Sequence, residues 1–212
     1  MKVVIIDYGA GNLFSVQQAF KRLGIETILT NNEQEIRSAT HVVFPGVGHA
    51  KSAMKQLKDH GLDEVIPKLT QPVLGICLGM QLMCGWNDEG DLDGLGIFRV
   101  RIESIQSQFT SSRIRGLSKW QTDKSSKEFG DGTLNYPVPH MGWNDVQLNG
   151  RSEAFYFVHS YAAAICKETW GIASYPAPFS AALKKDNFYG VQFHPEKSGT
   201  AGEQLLSQFL AL

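Results

Sequence analysis

The 212-residue sequence predicts an α/β fold: a mostly parallel, doubly wound central sheet, helices on its faces, and antiparallel strands added to it. Three observations carry this prediction. The first half alternates apolar, strand-like runs with amphipathic helical ones across short loops. Glycine turns close three of those strands, at the carboxyl ends where open α/β sheets carry their sites. The second half changes to short alternating runs separated by turn residues, the pattern of antiparallel strands.

Taken in order, Lys2–Tyr8 is an apolar strand closed by Gly9-Ala10-Gly11. Asn12 is a suitable N-cap for a helix with Leu13, Val16, Phe20 and Leu23 on one face, and Gly24 stops it. Ile25–Leu29 is a second strand, followed by a short charged helix near Glu33–Ala39. His41–Phe44 is a third, ending in the turn Pro45-Gly46-Val47-Gly48, and helices follow over roughly Ala50–His60 and Leu62–Leu69. Pro72–Ile76 then leads into Cys77, and Gly79–Cys84 leaves it as a helix. Arg99–Gln106 alternates like an exposed strand. Residues 107–135 are rich in Ser, Lys, Gly and Gln and poor in core residues, a long surface excursion. Strand patterns resume at Asp145–Leu148, Ala154–Tyr161, Gly171–Tyr175, Phe179–Lys184 and Gly190–Phe193, so 1–212 reads as one domain with 109–135 as a surface insertion. A helix over Thr200–Leu212, carrying Leu205, Leu206 and Phe209, closes the chain.

Composition narrows the function classes. A net charge of −1 gives no footprint for nucleic acid or a membrane surface, and no apolar run is long enough to span a bilayer. The first residues read as a strand rather than a signal peptide. Cys77, Cys84 and Cys166 make neither an even framework nor a CxxC pair, so free thiols in a reducing cytoplasm are expected. There is no zinc spacing and no phosphate loop, and Phe14 stands where a dinucleotide fingerprint needs its third glycine. Neither a metal nor a cofactor is expected.

Gly75-Ile76-Cys77-Leu78-Gly79 is the thiol version of a nucleophile elbow, a sharp strand-to-helix turn that exposes the sulfur at a helix N-terminus. The alternative is a structural cysteine between incidental glycines. A thiolate nucleophile needs a base and a group to orient it. His194 ends a strand and precedes Pro195, which favours an extended backbone, so Glu196 falls on its side and can accept from its ring. An oxyanion hole would use the Leu78 N–H and a second donor from the Gly46-Val47 turn. Among the other histidines, His41 and His60 read as structural or solvated and His49 as a helix start; His140 and His159 either line a site or pack in the core.

Gly75-Ile76-Cys77-Leu78-Gly79-Met80-Gln81 with Phe193-His194-Pro195-Glu196 resembles the class I (triad) glutamine amidotransferases. Asp7-Tyr8-Gly9-Ala10-Gly11-Asn12, Pro45-Gly46-Val47-Gly48, Pro139-His140-Met141-Gly142-Trp143-Asn144 and His159-Ser160-Tyr161 are similar, within that class, to the glutaminase subunits of imidazole glycerol phosphate synthases. The resemblance runs from residue 7 to residue 198. It implies a single-domain class I amidotransferase fold in which the Cys77 thiolate attacks the glutamine side-chain amide, His194 protonates the departing ammonia, and water hydrolyses the γ-glutamyl thioester. L-glutamine would be held by Gly48, Gln81, Glu89, His159, Ser160 and Tyr161, although Asn87-Asp88-Glu89 offers two adjacent acids. The partner implied is a (β/α)8 cyclase subunit in a heterodimer, docked on Asn12, Pro139, Trp143 and Lys197. It would receive the ammonia through a tunnel and form imidazole glycerol phosphate and an aminoimidazole carboxamide ribotide in histidine biosynthesis. The stretch 109–135 departs from the pattern: either a tolerated loop insertion, or the mark of a paralogue feeding a different synthase, such as a surface-sugar amidotransferase. A non-catalytic binding subunit of the same fold is the remaining reading, opposed by the intact Cys77, His194 and Glu196.

Overall fold

The computed structural model describes residues 1–110, 127–128 and 134–212, so the expected insertion at 109–135 lies almost wholly outside the described residues. The chain begins β1 (Val3–Ile6), α1 (Leu13–Arg22), β2 (Thr27–Thr30), α2 (Glu33–Arg37), β3 (His41–Gly46), α3 (Ala50–Asp59), α4 (Leu62–Val65), β4 (Val73–Cys77) and α5 (Leu78–Met83). It continues through β5 (Cys84–Asn87), β6 (Leu92–Asp93), β7 (Phe98–Ser104), α6 (Ile105–Thr110), β8 (Lys127–Glu128) and β9 (Leu134–Asn135). The last part is β10 (His140–Leu148), β11 (Arg151–His159), β12 (Tyr161–Ala163), β13 (Thr169–Ser174), β14 (Pro178–Lys185), β15 (Phe188–Val191) and α7 (Gly199–Leu210).

Strands β2-β1-β3-β4-β15 lie side by side and parallel, the 2-1-3-4-5 order of a doubly wound sheet. Antiparallel strands extend it through β14 and β12, and β13, β10 and β11 branch from β14. The core has two layers, one on each face. Successive residues of β1 serve both, with Val4 and Ile6 in one layer and Val3 and Ile5 in the other, because side chains alternate across a strand. Helix α1 starts where expected, with the Asn12 side chain accepting from the Ser15 N–H at 3.3 Å.

Several elements differ from the sequence expectation. β7 is an internal strand between β12 and β5, with Phe98, Val100 and Ile102 buried; its alternation marks one covered face, not an exposed strand. The helix after Cys77 stops at Met83, and Cys84 opens a short strand instead. The predicted helix over Leu62–Leu69 changes to a tighter turn at Ile66–Lys68, where Pro67 has no N–H to continue the α ladder. Pro139–Asn144 leads into and forms the first half of the nine-residue β10, paired with β11 from His140 opposite His159 to Leu148 opposite Arg151. Finally, β15 does not lie among the antiparallel strands alone: it pairs parallel to β4, with Val191 opposite Ile76. That register brings His194 to the carboxyl edge beside Cys77.

Candidate active site

The chain reverses sharply between β4 and α5, with Cys77 at φ +53° and ψ −112°, a conformation costing a non-glycine residue about 1–3 kcal/mol. The flanking glycines make the reversal sterically possible. A Cβ at Gly79 would overlap the Phe44 carbonyl oxygen, and one at Gly75 would sit 2.9 Å from the Met80 nitrogen. Cys77 is 7% exposed, and its sulfur receives the Gln192 side-chain N–H at 3.7 Å and lies 3.9 Å from the Val158 carbonyl oxygen.

His194 is buried beside it, with Nδ1 2.8 Å from Glu196 Oε1. Residues Pro195–Lys197 form a 3-10 turn rather than the extended segment expected, and it is this turn that brings the carboxylate back to the ring. The Ser198 hydroxyl donates to the His194 carbonyl at 2.6 Å, and the His194 N–H donates to the Tyr156 carbonyl at 2.9 Å, fixing the backbone beneath the imidazole. Burial alone would lower the ring's pKa. Hydrogen bonding and charge from Cys77 and Glu196 outweigh it and lift the value to about 10, so the ring carries two protons at neutral pH. Nε2 is buried without a hydrogen bond of good geometry, free to serve a reacting group.

A cavity of about 270 Å³ opens over this pair. It is lined by Val47, Gly48 and Leu78 from the two turns, by Gln81 and Glu89, and by Val158, His159, Ser160 and Tyr161. Of the two adjacent acids, Glu89 is the one that faces it. Asp88 is taken by Arg101, at 2.6 Å and 2.7 Å, and by the Trp86 indole, while Glu89 Oε2 accepts from the Ala50 N–H at 2.8 Å. Gly46 lies below the lining, opposite Cys77 in the sheet, where a Cβ would come 2.7 Å from the Gly79 nitrogen and 2.8 Å from the Tyr8 hydroxyl. Pro139, expected on an outer face, lines the cavity as well. Asn12, Trp143 and Lys197 do not. Trp143 is exposed and meets Tyr156 edge-on at 6.1 Å, with Lys197 6.0 Å above the same ring.

Sequence reasoning missed Tyr8, whose buried hydroxyl donates to the Pro45 carbonyl at 3.0 Å, and Gln192, a fully buried amide in an otherwise apolar run. It left His140 undecided; that ring packs in the core, stacked on Tyr175 at 3.8 Å, and binds His159. Among the described residues no cluster of His, Cys, Asp or Glu is suited to a metal ion, and no helix is long and apolar enough to cross a membrane.

A strained cysteine beside an imidazole–carboxylate pair, under a small cavity at the edge of a doubly wound sheet, matches one class of enzyme closely. The family model for class-I glutamine amidotransferases matches residues 4–212, and the chain belongs to that family. Similar folds include a crystal structure of a glutamine amidotransferase (TM-score 0.67, 16% identity, 98% of this chain and 97% of that one). Another is the structure of PurLQS from Thermotoga maritima (TM-score 0.64, 12% identity, 99% and 97%). Within the class, the chain sits with the HisH subunits of imidazole glycerol phosphate synthase. It is 45% identical to that of Bacteroides fragilis (strain YCH46) over 100% of both chains, and 41% identical to that of Pasteurella multocida (strain Pm70) over 98% of this chain and 96% of the relative.

Proposed function

We propose that the chain hydrolyses L-glutamine with Cys77 as nucleophile, His194 as acid–base and Glu196 as orienting carboxylate, and supplies the ammonia through a tunnel to a (β/α)8 cyclase subunit in the cytoplasm. The observation that carries this reading is the paired His194 and Glu196, 2.8 Å apart, beside a cysteine held at positive φ under the cavity. The sulfur attacks the side-chain carbonyl carbon of glutamine, and the oxyanion is met by N–H groups of Leu78 and of the Gly46–Val47 turn. His194 gives its Nε2 proton to the leaving nitrogen, and ammonia departs from a γ-glutamyl thioester. The neutral ring then takes a proton from water, hydroxide adds to the thioester, and glutamate leaves as the sulfur is restored. Gly48, Gln81, Glu89, His159, Ser160 and Tyr161 hold the substrate's amino and carboxylate groups, with Glu89 a natural partner for the ammonium. The cyclase uses the ammonia to form imidazole glycerol phosphate and an aminoimidazole carboxamide ribotide in histidine biosynthesis. Its docking face on this chain includes Asn12, Pro139, Trp143 and Lys197. We read 1–212 as one amidotransferase domain with 109–135 as a surface insertion; a short linker there should leave the affinity for the cyclase unchanged.

The test is glutamate release by the purified chain mixed with the cyclase and its nucleotide substrate. Stimulation by the cyclase is expected, and Cys77→Ala should abolish turnover while leaving the fold, read by circular dichroism, intact. Turnover retained in Cys77→Ala would refute the mechanism, and no stimulation would refute the partner.

A further inference from the structure

Side chains in and behind the cavity form a hydrogen-bonded chain whose members Asn144, His140 and Gln192 the reaction above does not use. The Asn144 amide nitrogen lies 3.3 Å from His140 Nε2 and donates to the Ser174 carbonyl at 3.0 Å. His140 Nδ1 lies 2.9 Å from His159 Nε2, and His159 Nδ1 lies 2.8 Å from the Tyr161 carbonyl oxygen. The Gln81 amide nitrogen donates to that same carbonyl and to Gln192 Oε1, each at 3.0 Å. Gln192 then donates to the Cys77 sulfur.

Only one arrangement of protons satisfies every link. A carbonyl oxygen accepts, so His159 carries its proton on Nδ1 and accepts at Nε2; His140 must therefore donate from Nδ1 and accept at Nε2 from Asn144. This order needs both rings neutral. Burial, reinforced for His140 by the neighbouring His159, lowers their pKa values to about 3 for His140 and about 4 for His159. At the inner end, both Gln81 amide hydrogens are committed, to Tyr161 and to Gln192. The Gln81 side-chain oxygen is left as the group facing the cavity, since a flipped amide would set oxygen against oxygen at both contacts.

We propose that His140 and Gln192, neither of which lines the cavity, are positioning residues for glutamine: His140 fixes the His159 ring that donates to the Tyr161 carbonyl, Gln192 accepts from Gln81, and with both Gln81 amide hydrogens held by these two acceptors its oxygen is kept as an acceptor for the substrate's amino group. The proposal rests on the glutaminase reading. His140→Phe keeps a ring to stack on Tyr175 and removes both nitrogens. Its complex with the cyclase should show a KM for glutamine raised about tenfold, the worth of one oriented hydrogen bond, with kcat within about threefold of the parent. His140→Gln, which keeps a donor and an acceptor, should recover part of the loss. In a Gln81→Ala background, His140→Phe should add nothing, because it acts through Gln81. An unchanged KM in His140→Phe, or additive losses in the double variant, would overturn the proposal. A second readout needs no variant: long-range nitrogen–proton NMR of the histidine-labelled full chain should find His140 and His159 both protonated on Nδ1. An Nε2-protonated ring at either position sinks the chain as drawn. If the parent complex releases no glutamate at all, the glutaminase reading fails instead, and the tautomers still judge the chain.

Discussion

At the scale of single residues, His194 holds its proton more tightly than a histidine in water, although burial works against the charge. Its folded pKa of about 10 against the ordinary 6.5 has a definite sign. The stability it contributes is present in full below 6.5 and disappears as pH rises through about 10. The same group sets the alkaline limb of glutamate release, near pH 10 in the parent complex, because loss of the second proton removes the acid that ammonia needs. Glu196→Gln removes one of the charges that raise the ring's pKa and puts a neutral amide, able to donate as well as accept, where a carboxylate orients it. It should lower kcat by about 10³-fold and move the limb towards neutrality, measured as glutamate release against pH with cyclase bound. A limb that stays in place would assign it to another group. Cys77, His194 and Glu196 were legible because each sits in a short local motif whose geometry a few neighbours dictate. Gln192 and His140 were not: Gln81 reaches Gln192 by the packing of α5, His159 reaches His140 by strand pairing, and a polar residue in an apolar run does not announce its partner.

At the scale of elements, the parallel half was readable because β1, β3 and β4 are buried throughout and alternate with helices that carry their own caps. The pieces that escaped were those whose identity comes from tertiary pairing. β5 is four residues long with a glycine inside it, and takes its strand form from β7. The His-Pro-Glu turn is likewise held from outside, by α7. A Cβ at Gly202 would overlap the Pro195 carbonyl oxygen, so α7 rests directly on the segment that aims Glu196. Gly202→Ala should therefore act as overpacking, costing about 2 kcal/mol and lowering Tm by about 4–8 °C. It should reduce kcat more than KM, since the carboxylate–imidazole pair moves while the glutamine walls do not. Thermal unfolding and steady-state kinetics check both, with exposed Thr200→Ala as the neutral control. A variant with parent Tm would mean that α7 does not brace the turn.

At the scale of the whole molecule, one strand serves two sides. Inward-facing His140 and Asn144 of β10 reach the glutamine walls, while Met141 and Trp143, 62% and 58% exposed, face outward, with Tyr156 against the indole and Lys197 over the Tyr156 ring. Exposed apolar side chains at the sheet edge that carries the cavity are costly in a monomer and useful in a complex. A tryptophan half free of its own fold is the residue type that anchors an interface. Trp143→Ala should therefore weaken binding to the cyclase about 30-fold, a loss of about 2 kcal/mol, while the Tm of the isolated chain stays within about a degree of the parent. At saturating cyclase the glutaminase rate should return to the parent value, because the inward side of β10, which carries the hydrogen-bonded chain, is untouched by the truncation. Calorimetric titration gives the affinity and glutamate release the rate. Parent-like affinity would move the docking face elsewhere; a rate that stays low at saturation would mean that the outward side of β10 also shapes the site.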